Sequence, residues 1–365
     1  MIYAEDLLKT LDNNKISFFT GVPDSILKDF TNYLDLKKKK NLIAVNEGSA
    51  AAIAIGYNIK TGKIPCVYLQ NSGLGNALNP ILSVASSDVY KNSILFIVGH
   101  RGYNGKGDEP QHLLTGKITK KILSISKVNY ISLKNFQDLK KLNKLIKDSK
   151  KNKKLICCLV RSKTLKLKRK IINKKNMKGI DISYFLEKLI FLLNSKKNLI
   201  VSSTGYPSRE LLRSQLKNNI KLKVIYNVGG MGHTSSIAYG ISENTQKTVL
   251  CLDGDGSLLM HFGSLHTIGG SKKSNFKYIL LNNNIHGSVG GQKTNFDNIN
   301  FKSLSTSLNF KRYMEINDKK KVEVTIKKFL KLSGPSVLQV YCSSKNSSDL
   351  PRVKNFSEIL RKFNN

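Results

Sequence analysis

Two short polar runs close apolar ones in this 365-residue sequence, and together they could hold a metal-bound diphosphate. Gly254-Asp255-Gly256-Ser257 follows the apolar residues 248–253. Asn282-Asn283-Asn284 follows residues 277–281, which puts Asn283 28 residues after Asp255. Asp255 offers a hard carboxylate and Asn283 a carbonyl oxygen. Mg²⁺ takes few protein oxygens and completes its shell with phosphate oxygens and water, so this donor pair suits a cation shared with a diphosphate. Gly254 and Gly256 let the backbone approach the phosphates, and the helical run from Ser257 brings free N–H groups. Either run alone reads as a turn or a polar loop; the pair, each member after an apolar run, reads as a site. A third group is Glu47, which separates the apolar residues 42–45 from the small-residue helical run 49–57. A carboxylate at such a junction can lie against a flat ring. Its plainer use is to complement a helix N-terminus.

These groups need strand ends to stand on. Expected strands are residues 16–20, 42–45, 64–70, 94–98, 129–133 and 154–160 in the first half. In the second half they are 198–202, 222–227, 248–253, 277–281 and 336–341. Near-continuous apolar strands separated by helices indicate parallel sheets covered on both faces. Ligands bind such sheets at the carboxyl ends of the strands. The expected fold class is α/β, with two doubly wound parallel-sheet domains and no middle domain. The lysine-rich, weakly periodic stretch 162–179 reads as an exposed linker. It gives a first domain at 1–165, a basic linker at 166–180 and a second domain at 181–365.

Composition narrows the class. The chain is 40% hydrophobic, enough for two cores, and has no apolar stretch long enough to span a membrane. No signal peptide is expected from Met1-Ile2-Tyr3-Ala4-Glu5-Asp6, which lacks a basic and then an apolar region. The five cysteines (Cys66, Cys157, Cys158, Cys251, Cys342) form no CxxC, and four sit in strand-like runs, as buried thiols of a reducing cytoplasm do. The net charge is +37, but the lysines are scattered, and the dense runs 37–40 and 163–175 carry almost no aromatics for base stacking. No specific nucleic-acid partner and no membrane are expected. A basic surface would still attract an anionic substrate.

The GDG and NN pair resembles the fingerprint of the thiamine-diphosphate enzymes. That resemblance implies Mg²⁺ ligation by Asp255, by the Asn283 side chain and by the Ile285 backbone carbonyl. It also implies a diphosphate cradle from Gly254, Gly256 and Ser257, and a first-domain glutamate, Glu47, that protonates the cofactor's pyrimidine ring. In Tyr226-Asn227-Val228-Gly229-Gly230-Met231-Gly232-His233, the Gly229 carbonyl would accept from the 4′-amino group and Met231 would prop the bent cofactor. Asn71 belongs to the implied cofactor set.

The domain order and the strings 20–25, 70–76, 108–112, 203–210 and 286–292 are similar to the phosphonopyruvate decarboxylases over essentially the whole chain. The sulfopyruvate decarboxylases, often split into two subunits, are the close relatives, and the fused chain favours phosphonopyruvate. The implied reaction converts 3-phosphonopyruvate, a small anionic 2-keto acid, to phosphonoacetaldehyde and CO₂. The implied assembly is a homodimer or higher homo-oligomer with sites shared between chains.

His112, in what reads as a Gly/Pro-bounded loop, is the candidate acid/base. Asp24 is a second, with a helix N-cap as its ordinary alternative. Phosphonate candidates are Ser25, Arg101, Arg209, His286 and Lys293, because a dianion wants cations or N–H groups. His233 is a cofactor neighbour, and His261 and His266 read as packing or surface residues.

Overall fold

A computed structural model describes residues 1–105, 108–169, 178–344, 347 and 349–364. The chain forms two compact units, Met1–Asn173 with Ser288–Gln292, and Lys174–Gly287 with Lys293–Asn365.

The first unit carries strands β1 (Ile2–Tyr3), β2 (Phe18–Gly21), β3 (Lys40–Ile43), β4 (Cys66–Gln70), β5 (Leu95–His100), β6 (Asn129–Leu133), β7 (Ile156–Arg161) and β8 (Leu165–Lys166). Its helices are α1 (Ala4–Asn13), α2 (Lys28–Leu36), α3 (Glu47–Thr61), α4 (Leu74–Leu82), α5 (Pro110–Ile125) and α6 (Asp138–Asn152). Six strands form one parallel sheet in the order β3-β2-β4-β5-β7-β6. Successive residues of β4, β5 and β7 feed opposite faces. Tyr68, Ile97 and Cys158 pack with α1, α2 and α6, whereas Val67, Phe96 and Cys157 pack with α3 and α4. Burial on both faces is why these strands read as unbroken apolar runs.

The second unit carries β9 (Asn198–Ser202), β10 (Lys223–Tyr226), β11 (Thr248–Gly254), β12 (Phe276–Asn282), β13 (Arg312–Ile316) and β14 (Ser336–Tyr341). Its helices are α7 (Ile182–Leu192), α8 (Tyr206–Lys217), α9 (Thr234–Glu243), α10 (Asp255–Met260), α11 (Ser264–Gly270), α12 (Phe301–Ser307), α13 (Val322–Lys331) and α14 (Phe356–Asn364). The sheet order is β10-β9-β11-β12-β14-β13, again all parallel. Leaving aside the two-residue β1 and β8, both units thread six strands as second-first-third-fourth-sixth-fifth. The α/β, two-sheet architecture expected from the sequence is the one observed.

Three strands were not expected. β13 is an edge strand with one half-exposed face, so Arg312 and Glu315 mask its pattern. β1 and β8 pair with each other, which pins the start of the expected linker through buried Leu165. At the other end Ile180 is buried and bridges to Cys342. Each is a single apolar residue at the edge of the lysine-rich stretch, Leu165 before Lys166 and Ile180 two residues after Lys178, which hid them. Residues 170–177 of the expected linker lie outside the described residues. All five cysteines are free and buried, and burial pushes their thiols well up. Among the described residues no helix is long and apolar enough to cross a membrane.

Candidate functional site

In each sheet the chain leaves its first strand toward one neighbour and then returns to the other side, so a topological switch point lies between β2 and β4 and between β9 and β11. Ligands of open α/β sheets bind outside the carboxyl ends at that point. Asp24, Ser25 and Asn71 follow β2 and β4. Asp255 follows β11.

In the second unit, β11 runs into α10 at Gly254, and Asp255 is buried with Oδ2 accepting from Thr294 Oγ1 at 2.5 Å. Burial drives the Asp255 carboxyl up to about 6, against the opposing pull of hydrogen bonds from Thr294 and the Asn283 N–H. Of the three asparagines after β12, Asn282 Oδ1 accepts from Asn284 N at 3.1 Å. Asn284, in the left-handed region at φ 58°, turns its Oδ1 to Phe296 N at 2.9 Å and Thr294 Oγ1 at 3.2 Å. Both are buried and spent on the loop. Asn283 is the half-exposed member, and its Oδ1 takes only the Ile285 N–H, at 3.2 Å.

Behind the turn stands Asp253, fully buried, accepting from Gly254 N and Tyr278 Oη, each at 3.0 Å. Burial raises its carboxyl, with hydrogen bonds from Ser257 and Ser203 opposing. Ser257 Oγ also accepts from Gly232 N at 3.0 Å, tying the turn of Gly229 (φ 79°) and Met231 to α10. His233 stacks on His261 with centroids 4.3 Å apart.

This donor set fits Mg²⁺ with a diphosphate. One carboxylate, one amide oxygen and a backbone carbonyl leave most of a metal's shell for phosphate and water. A Cβ at Gly254 would meet nothing within 4 Å, so the turn is open there. Among the described residues no cluster of three His, Cys, Asp or Glu could cage a metal by protein alone.

In the first unit, Glu47 opens α3 after Asn46, whose side chain caps the helix by accepting from Ser49 N at 2.8 Å. Glu47 is therefore not needed as the cap. It is buried, with Oε2 accepting from Asn76 Nδ2 at 2.7 Å, and a Cβ at Gly73 would collide with its carboxylate.

Asp24 is buried too. Its Oδ1 accepts from Ile26 N at 3.1 Å, a local turn three residues before α2, so it does not cap that helix. Its Oδ2 has no partner among the described residues, and a Cβ at Gly99 would collide with Oδ1. Burial lifts the Asp24 carboxyl from 3.8 to about 6, the Ile26 hydrogen bond and the Arg101 charge opposing.

A carboxyl raised in the folded state adds stability below its unfolded value, and that stability is lost as pH rises through the folded one. At 1.36 kcal/mol per unit, the loss reaches about 3 kcal/mol. Asp24→Asn is therefore expected to gain up to about that much on wild type between pH 4 and pH 7 in denaturant melts. An offset that does not change over this range contradicts it.

His112 lies in the first turn of α5 and is buried; the loop reading is corrected, because Pro110 starts the helix two residues earlier. Burial first, and the Arg101 charge second, push His112 down to about 4, so it is neutral at physiological pH. Among the described residues its Nδ1 has no partner, and Nε2 is 3.7 Å from Glu109 Oε2. Arg101 follows β5 directly and is paired with Asp108, with Nη1 3.5 Å from Ser25 Oγ.

Other expectations change. Asn71 spends its amide on the Arg101 backbone and on Thr119, at 2.9–3.1 Å, so it braces the site. Arg209 donates to the Leu350 and Pro351 carbonyls at 2.7 and 3.4 Å, which makes it a clamp on the C-terminal segment. His286 packs over Gly256, and burial pushes it down to about 4, so it is uncharged there. Lys293 is exposed and bridges Ile285 through its backbone. The sequence reading did not single out Asn76, Asp108, Asp253 or Thr294. Asn76 and Asp108 sit inside the quoted strings, but nothing in their spacing marks whom they touch.

Comparison with known proteins defines the class. Residues 1–122 match the thiamine pyrophosphate enzyme N-terminal TPP binding domain, and residues 210–340 the C-terminal TPP binding domain. The chain is also 33% identical to the sulfopyruvate decarboxylase subunit alpha of Methanococcus maripaludis, over 40% of this chain and 84% of that one. It is 30% identical to the subunit beta of Methanothermobacter thermautotrophicus, over 45% of this chain and 84% of that one. The chain belongs to the thiamine pyrophosphate enzyme family, and thiamine diphosphate is its cofactor. Within that family it is similar end to end to the phosphonopyruvate decarboxylase of Streptomyces viridochromogenes, at 27% identity over 100% of this chain and 94% of that one.

Proposed function

We propose that this protein decarboxylates 3-phosphonopyruvate to phosphonoacetaldehyde and CO₂ with thiamine diphosphate and Mg²⁺, in the cytoplasm, as a step of phosphonate biosynthesis. The observation that supports the substrate choice is similarity over 100% of this chain, at 27% identity, to a phosphonopyruvate decarboxylase. Residues 1–165 are the pyrimidine-binding domain, 166–180 the basic linker and 181–365 the diphosphate domain. Bound thiamine diphosphate supplies the electron sink that a 2-keto acid needs to lose CO₂.

The chain's own groups do the rest. Asp255, the Asn283 amide oxygen and the Ile285 carbonyl hold Mg²⁺, while Gly254, Gly256 and Ser257 line the diphosphate. Gly229 accepts from the cofactor's amino group, and Met231 supports its bend. Glu47 holds the proton at the pyrimidine ring nitrogen, in an orientation fixed by Asn76. Asp24, whose free Oδ2 is buried, and neutral His112 exchange protons with the substrate. Arg101 and Ser25 face its anionic group.

The active assembly is a homodimer or larger. The outer face of α3 supports this: Ile53, Gly56 and Ile59 are exposed on the helix that Glu47 opens, and Ile237 and Gly240 are exposed on α9. An active monomer in sedimentation would sink this part of the reading.

Sulfopyruvate is the rival substrate, favoured by a sulfopyruvate decarboxylase 26% identical over 86% of this chain and by subunits at 30% identity or more over less than half of it, so a fused chain does not separate the two. Comparing kcat/KM for the two keto acids with an aldehyde-coupled assay decides. The proposal expects phosphonopyruvate to be preferred at least about tenfold, and a preference for sulfopyruvate would replace it.

A further inference from the structure

Among the described residues, Arg101 is held along one edge. Asp108 accepts from its Nε (3.2 Å to Oδ1, 3.0 Å to Oδ2) and from its Nη2 (2.5 Å to Oδ1), a two-point fork. Asp108 is fixed in turn by the N–H groups of Gly102 and Glu109, each at 2.8 Å. Burial works to raise its carboxyl, but the hydrogen bonds from Arg101 and Gly102 outweigh that and leave it below the usual range. Asn71 grips the Arg101 backbone from behind, donating to its carbonyl at 3.0 Å and accepting from its N–H at 3.1 Å. Both ends of this arginine are therefore set before any ligand arrives.

Among the described residues the Nη1 edge has no such partner. It makes the long 3.5 Å contact with Ser25 Oγ, next in sequence to Asp24. The Arg101 charge also bears on Asp24 and on His112. The edge without a strong acceptor thus stands among the two groups assigned to proton handling.

We propose that Asp108 is the positioning residue for substrate selection: by occupying the Nε/Nη2 edge of Arg101 it aims Nη1, beside Ser25 Oγ, at the phosphonate of the substrate. This rests on the reading of the protein as a decarboxylase of an anionic 2-keto acid. A guanidinium whose plane is fixed recognises a tetrahedral oxyanion by direction as well as charge, whereas an untethered one offers charge alone. The neutralising carboxylate also keeps the site from binding anions of every shape. Asn71 acts in the same way at one remove, through the backbone that carries Arg101.

The test uses the full chain with thiamine diphosphate and Mg²⁺. In Asp108→Asn the KM for phosphonopyruvate rises about tenfold or more and kcat falls far less, the pattern of lost substrate binding. The inhibition constant of methylphosphonate rises in parallel, and the affinity for thiamine diphosphate stays at the wild-type value. Arg101→Lys, which keeps the charge and loses the fork, gives the same split and serves if Asp108→Asn does not fold. A folded variant with wild-type KM and wild-type methylphosphonate inhibition overturns the proposal. So does a parallel loss of kcat and cofactor affinity, which would mark Asp108 as a loop-stabilising residue only. If wild type turns over neither phosphonopyruvate nor sulfopyruvate, the functional reading fails separately. Calorimetric binding of methylphosphonate to wild type and Asp108→Asn then judges Asp108 alone: weaker binding in the variant supports it, and equal binding overturns it.

Discussion

Glu47→Gln is expected to bind thiamine diphosphate and to turn over on the order of 10³-fold more slowly than wild type. The substitution is nearly isosteric. A glutamine fits the space left by Gly73, and its amide oxygen can still accept from Asn76 Nδ2. What is lost is the proton that a carboxyl shares with a ring nitrogen. The helix itself should not suffer, because Asn46 already caps it through Ser49. Cofactor affinity and thermal stability in Glu47→Gln are thus expected to stay near wild type while kcat collapses. A variant with full turnover would remove Glu47 from the chemistry. A variant that fails to bind cofactor would make its role one of site architecture.

Asp255→Asn has the opposite signature. The carboxylate supplies the only formal negative charge among the proposed protein ligands of the metal, and losing it should weaken Mg²⁺-dependent cofactor binding on the order of 10²-fold. The same change should stabilise the cofactor-free protein at neutral pH. Burial raises the Asp255 carboxyl to about 6, so its contribution to stability is present at acid pH and is lost as pH rises through that value. Asparagine carries no such charge. In wild type, protons and Mg²⁺ compete for this group, so Mg²⁺ affinity should fall below about pH 6, by up to tenfold per unit. Calorimetric titration of cofactor with Mg²⁺ at pH 7.5 and pH 5.5, together with melts of the cofactor-free proteins, reads all of this. Equal affinities at the two pH values, or an Asp255→Asn protein that melts earlier at neutral pH, would contradict the assignment.

The legible parts of the chain have a common physical cause. Strands buried on both faces must be apolar throughout, so β4, β5, β7, β11, β12 and β14 stand out as runs, and the chemistry follows at their ends. Asp255 and Asn283 were visible because each comes just after such a run, whereas Glu47 follows the half-exposed edge strand β3 and was marked by the small-residue helix it opens. β13 was not visible, since an edge strand keeps one polar face, and Tyr313 and Glu315 read as loop.

Partnerships were the least legible. Thr294 meets Asp255 across 39 positions and Asn76 meets Glu47 across 29, and only the fold brings them together. Arg209 shows the converse error. An arginine at a helix start looks like an anion ligand until two backbone carbonyls about 141 residues away accept its protons. His286 misled in a further way, because its residue type suggested charge and its burial removes it. The basic surface adds nothing to the site's specificity: lysines spread over solvated faces raise the chance of meeting an anion but do not choose one.

The central claim is that this chain is a thiamine-diphosphate decarboxylase of phosphonopyruvate, and the most direct measurement is aldehyde release from that substrate by the purified, cofactor-stripped protein. The stripped protein is expected to release no product, and phosphonoacetaldehyde forms steadily once thiamine diphosphate and Mg²⁺ are both restored. Product formation that is indifferent to either addition, or a fully reconstituted protein that leaves phosphonopyruvate intact, would contradict it.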